Sequence, residues 1–156
     1  MSSFLNDLAI WEQYQLNIVE LLNLHFRTKN NYYSINSIKK DIDIISSQWS
    51  NSIEVKYDRQ AHRTWNIFIE YECRWKVSWV FKYSSMDVFI YGTNEQIFFF
   101  KAFDIKKFIL LSIHWHIEWI RKVNGWDWWA SKGILIPISM LDTIIFRKLN
   151  IKLWVT

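Results

Sequence analysis

The chain has 156 residues, 51% hydrophobic and 22% charged, with a single cysteine, which suits one domain with a core that needs no disulfide. That composition excludes a disordered chain, a collagen-like repeat and a secreted disulfide scaffold. A net charge of +4 permits a polyanionic partner without demanding one.

In chain order, apolar residues recur at helical spacing over 4–26 (Leu5, Leu8, Ile18, Leu21, Leu22), with Ser3 or Asn6 available as caps, and predict an amphipathic opening helix. Short runs rich in β-branched and aromatic residues follow at 42–45, 53–58, 67–73, 88–91 and 97–100, and read as strands. Polar residues at 48–51 and the Gly92-Thr93-Asn94 segment fall where hairpin turns are expected. A second helix is predicted over 104–123, with Asp104 near its N-terminus, and an apolar strand over 134–138. No repeat or linker divides this order, and Pro137 is the one proline, so a single domain spanning 1–156, of α/β or α+β class, is expected.

Side chains two apart on a strand share a face, so in the run 53–58 Glu54, Lys56 and Asp58 project together, opposite Ile53, Val55 and Tyr57. A hairpin through 48–51 folds Asp41 or Asp43 back beside Glu54. Two carboxylates with a backbone carbonyl and waters suit octahedral Mg²⁺, which prefers hard oxygen ligands. A lysine beside them can orient the attacking water and steady charge on a phosphate, the parts that phosphodiester hydrolysis needs.

These residues carry a family resemblance. Asp43, then Glu54-Val55-Lys56 and Asp58, then the run Thr64-Trp65-Asn66-Ile67-Phe68-Ile69-Glu70-Tyr71-Glu72 and the Ser78 segment resemble the PD-(D/E)xK nuclease superfamily. The likeness is to virus and phage members of the pattern D, E-x-K-x-D, T-G-N-x-x-I-E-x-E, G-K-x-S-G, and it covers residues 4 to about 140. The resemblance implies a restriction-endonuclease-like three-layer α/β core, a mixed β-sheet flanked by helices. It also implies Mg²⁺-dependent cutting of DNA, with Mn²⁺ as a substitute, in recombination, repair or restriction of viral or mobile-element DNA. Asp43, Glu54 and the Val55 carbonyl would hold the metal, and Lys56 would be the catalytic lysine. Many members add an acid on the first helix; here the candidates are Glu12 and, one turn on, Gln15, which is not a carboxylate. Glu70 is a further candidate. Arg59, His62, Arg63, Asn66, Lys76 and Ser78 are candidate DNA contacts. One site per chain is compatible with a homodimer that cuts two strands. The alternative is a noncatalytic nucleic-acid-binding module on the same fold.

Against the family pattern Trp65, Trp75 and Trp79 stand where glycines are expected, and Trp11, Trp49, Trp126, Trp128 and Trp129 fall at further glycine-like positions. Average usage of about 7% would give a chain this long roughly 11 glycines, whereas it has 3, beside 11 tryptophans. A gene that reads UGA as glycine, translated with UGA as tryptophan, would leave this pattern. Trp115 and Trp119 lie inside the second predicted helix, where glycine would cost about 1 kcal/mol each, and are read as genuine. His114 and His116, two apart, do not share a helix face and read as partly buried structural residues rather than zinc ligands. Cys73 reads as core, and Phe98-Phe99-Phe100 as sheet core ahead of base stacking, a role also open to Tyr32-Tyr33. The apolar stretch 108–120 is broken by His114, His116 and Glu118, and no basic-apolar-small leader opens the chain, so no membrane span and a cytoplasmic setting, the host's if viral, are expected.

Overall fold

The computed structural model describes residues 3–25, 32–34, 43–46, 52–73, 76–78, 81, 86–115, 121–124 and 131–150. Helix α1 (Ser3–His25) leads into strands β1 (Tyr32–Ser34), β2 (Ile44–Ser46) and β3 (Ser52–Tyr57). A single helical turn α2 (Ala61–Thr64) precedes β4 (Asn66–Cys73) and β5 (Lys76–Val77), and then come β6 (Val88–Gly92), β7 (Gln96–Lys101) and helix α3 (Ala102–Trp115). Strands β8 (Arg121–Asn124) and β9 (Lys132–Pro137), a 3₁₀ helix (Ile138–Thr143) and β10 (Arg147–Asn150) complete the described chain.

The strands form two sheets, a mixed six-stranded sheet in the order β1-β2-β3-β6-β7-β10 and a four-stranded sheet in the order β5-β4-β9-β8. In the first, β3 and β6 run parallel with Glu54 beside Phe89 and Lys56 beside Tyr91, so α2, β4 and β5 lie on the crossover that parallel pairing requires. The β-strand period of two sorts side chains between its faces. Ile53, Val55, Ile90, Ile97 and Phe99 pack with Tyr14, Ile18 and Leu22 of α1. Phe89, Tyr91, Phe98 and Phe100 face the other way and pack with Ile105 and Ile109 of α3 and with Ile67, Ile69, Ile134 and Ile136 of the second sheet.

The chain is thus of mixed α/β class, and the face opposite α1 is covered by a second sheet as well as by a helix. The helix predicted over 104–123 is shorter, because residues 121–124 pair antiparallel with β9 as β8. His114 is exposed rather than partly buried; His116, Glu118 and Trp119 lie outside the described residues. Phe98, Phe99 and Phe100 are core as expected, Tyr32 is buried and so not placed to stack a base, and Cys73 is half-buried and accepts a contact from Ser131 Oγ at 3.6 Å. Among the described residues no helix is long and apolar enough to cross a membrane.

Gly92 ends β6 against α1: a Cβ there would fall 1.5 Å from the Tyr14 hydroxyl. Its bare Cα leaves room for the Tyr14 ring to stack on Tyr57 at 4.3 Å between centroids, and this contact sets the seating of α1 next to Gln15. Position 65 is the other place where backbone chemistry favours glycine. Trp65 closes α2 in the left-handed region (φ 55°, ψ 24°) and is the one non-glycine residue with positive φ among those described, the conformation glycine usually supplies after a helix. Trp11, by contrast, lies within α1, where glycine would weaken the helix. Trp49, Trp75, Trp79, Trp126, Trp128 and Trp129 lie outside the described residues.

Candidate functional site

The site begins with the β2–β3 ladder. Ile44 pairs with Ile53 and Ile45 with Ser52, so the same antiparallel register carried one residue further sets Asp43 opposite Glu54. The Asp43 N–H still bonds the Ile53 carbonyl at 3.1 Å. Its carboxylate Oδ2 then accepts from the Val55 N–H at 2.7 Å in a buried hydrogen bond. In an extended strand the N–H and C=O of one residue point to the same edge, so the Val55 carbonyl faces the edge that the Asp43 carboxylate occupies.

Glu54 is 5% exposed and Asp43 9%, so two neighbouring carboxyls are withdrawn from water together. Gln15 is buried on α1 beside Asp43. Burial pushes the Asp43 carboxyl above its ordinary range; the Lys56 ammonium, the Val55 N–H, Gln15 and Glu54 offset part of that shift. Lys56 Nζ lies 2.6 Å from Glu54 Oε1, with the lysine side chain about a third exposed and the glutamate nearly covered. Asp43, Glu54, Lys56 and Gln15 therefore meet at one point. Glu12, one turn earlier on α1, is exposed; the helix presents position 15 to the acids instead.

A divalent cation can offset the charge of two neighbouring buried carboxylates, and the donor set here, two carboxylates with a carbonyl on the same edge, consists of the hard oxygens that Mg²⁺ prefers. Among the described residues no group of three or more His, Cys, Asp and Glu side chains is placed to hold a metal. A cation at this point would rest on the two acids, with backbone and water oxygens completing its shell.

Lys56 opens onto a groove of about 450 Å³ between the two sheets, lined on the opposite wall by Asn66, Phe68 and Glu70 of β4. The groove's walls are tied together. Asp58 Oδ1 accepts from the N–H groups of Gln60 and Ala61 at the head of α2, while its Oδ2 accepts from the Tyr91 hydroxyl at 2.7 Å. The same Tyr91 oxygen accepts from the Phe68 N–H at 3.1 Å, so one tyrosine of β6 links β4 to the residue that follows β3. Asp58 thus acts in scaffolding, apart from the carboxyl pair.

Glu70 faces the groove with both oxygens engaged, accepting from Ser78 Oγ at 2.9 Å and Ser131 Oγ at 2.8 Å. Ser78, expected as a DNA contact, is buried and donates its hydroxyl to Glu70. Nothing in the family pattern signals Ser131, a partner from the far end of the chain. Arg59, Arg63 and Lys76 are exposed. His62 is half-buried with Nδ1 3.3 Å from the Asn94 amide, and Asn66 bonds the Thr64 carbonyl from the lip of the groove.

No protein-family model matches the chain, and no curated protein or solved structure matches it.

Proposed function

We propose that the chain is a divalent-metal-dependent deoxyribonuclease, an endonuclease built on a restriction-endonuclease-like core. The observation that carries this reading is the buried Asp43–Glu54 pair with Lys56 against it, at the edge of a groove. Burying two carboxyls side by side is unfavourable for a sheet that gains nothing from them, and a cation is the natural counterpart.

Asp43 and Glu54, with the Val55 carbonyl, would hold Mg²⁺, or Mn²⁺ in its place, which supplies a Lewis acid for the scissile phosphate and lowers the pKa of its water. The Val55 N–H fixes the Asp43 carboxylate in orientation. Lys56, anchored by Glu54 and open to the groove, donates an N–H to the attacking water or to the developing phosphate charge. Exposed Arg59 and Arg63 by the head of the groove contact flanking phosphates, which position the strand without reading its sequence. Viral or mobile-element DNA processing is the setting to which the motif pattern points.

The test is incubation of linear, circular, branched and single-stranded DNA with Mg²⁺ or EDTA. The expected result is metal-dependent cleavage, abolished in Lys56→Ala with DNA binding retained. Binding without cleavage by any substrate–metal combination supports the noncatalytic module, in which the Lys56–Glu54 ion pair is a closed internal contact. Absence of both activities rejects the nucleic-acid reading.

A further inference from the structure

Six of the eight large apolar side chains that stand exposed among the described residues lie on the two long helices. On α1 the exposed residues Leu8, Glu12, Leu16, Glu20 and Leu24 recur every fourth position. On α3 the exposed residues Phe103, Lys107 and Leu111 do the same, with Leu110 beside them. Rows at this spacing are the ridges by which helices interdigitate, crossing at about −50°.

The two ridges are complementary in charge as well as in shape: leucines separated by glutamates on α1, apolar residues flanking a lysine on α3. They cannot meet within one chain. Alternate residues of β7 go to opposite sides of the six-stranded sheet, Ile97 and Phe99 to the α1 side, Phe98 and Phe100 to the α3 side. The helices therefore cover opposite faces.

We propose that the α3 ridge of one copy docks on the α1 ridge of a second copy, with Lys107 at the level of Glu12 or Glu20 and Phe103 and Leu111 at the level of the leucines on either side of that glutamate. Because the patches differ and lie on opposite faces, the contact is head-to-tail and leaves a free patch at each end. Its strength would be that of a small, transient interface, steered by charge.

Sedimentation of the full chain over a wide dilution series tests this. The expected result is a mass that rises with concentration past the dimer, and falls back in high salt. Leu16→Gln with Leu24→Gln blocks one patch, and Leu110→Gln with Leu111→Gln blocks the other. Glutamine is a good helix former and all four sites are exposed, so circular dichroism of each variant should match the wild type. Each variant alone should be monomeric, and a mixture of the two should form a one-to-one dimer that grows no further, since each supplies the patch the other lacks. A wild type that stays monomeric throughout, a single blocked variant that still dimerises, or a mixture that stays monomeric would overturn the proposal.

Discussion

Replacing Trp65 by glycine and by alanine separates backbone conformation from side-chain packing. An L-residue held in the left-handed region costs about 1–2 kcal/mol relative to a right-handed one, and glycine escapes that cost. Trp65 is 70% exposed, so about a third of a side chain of roughly 250 Å² is covered, worth at most about 2 kcal/mol at 25 cal/mol per Å². Both substitutions lose that area, but only glycine relieves the backbone. At an ordinary position alanine is the more stable of the two by about 0.4–1 kcal/mol, through the unfolded chain. Here the order should reverse: Trp65→Gly should lie within about 1 kcal/mol of the wild type and should exceed Trp65→Ala by about 1 kcal/mol. In a chain of this size that is about 2–4 °C in melting temperature. Thermal and urea unfolding of the three proteins, with coincident transitions confirmed by two probes, provides the comparison. Trp65→Ala matching or exceeding Trp65→Gly would refute the left-handed assignment, and with it the argument that this position calls for glycine. The gene offers a separate check, a UGA codon at position 65 being expected and UGG contradicting it.

Gly92→Ala should destabilise the fold by about 1–3 kcal/mol, since its Cβ would enter the space of the buried Tyr14 ring; a loss below 0.5 kcal/mol on urea unfolding would mean that α1 is not seated as described. Tyr14→Phe should be neutral or stabilising by about 1 kcal/mol, because the Tyr14 hydroxyl is buried with no hydrogen-bond partner among the described residues; a clear loss of stability would reveal a partner. For Asp43, burial raises the folded-state pKa above the ordinary 3.8, so the native state holds its proton to higher pH than the unfolded chain. Without divalent metal, the Asp43 contribution to stability should therefore fall as pH rises from about 3.8 through the raised value and then level off. Chemical denaturation across that window should display the decline in the wild type and a flatter profile in Asp43→Asn, and equal slopes would contradict the buried-acid account.

Local periodicity made much of this legible. The alternation in 53–58 placed Glu54 and Lys56 on one face and Val55 on the other, and the buried row Tyr14, Ile18 and Leu22 follows the helical spacing of α1. The turn at 92–94 falls between β6 and β7 as its Gly-Thr-Asn composition suggests. What sequence could not give were long-range pairings. Strands β1 and β8 are short and mixed in polarity, and they exist because an edge of a sheet was available to pair with, a property of tertiary structure rather than of local propensity. The strand at 121–124, Arg-Lys-Val-Asn, has no strand alternation of its own and reads as the end of the preceding helix until β9 offers it a ladder. At the site, the choice of Gln15 over Glu12 depends on how α1 rolls against the sheet, which the Tyr14–Gly92 contact decides. The capture of Ser78 and Ser131 by Glu70 joins three segments distant in sequence and has no signature along the chain.

The claim on which the account turns is that Asp43 and Glu54 together hold one divalent cation. Calorimetric titration of the full chain with Mg²⁺ and with Mn²⁺, repeated in buffers of different ionisation enthalpy and at increasing pH, tests it most directly. One site per chain is expected, with proton release on binding at pH values where Asp43 is protonated, tighter binding as pH rises through the raised Asp43 value, and loss of binding in both Asp43→Asn and Glu54→Gln. Metal binding that survives both substitutions, or no binding by the wild type at any pH at which it is folded, would contradict it.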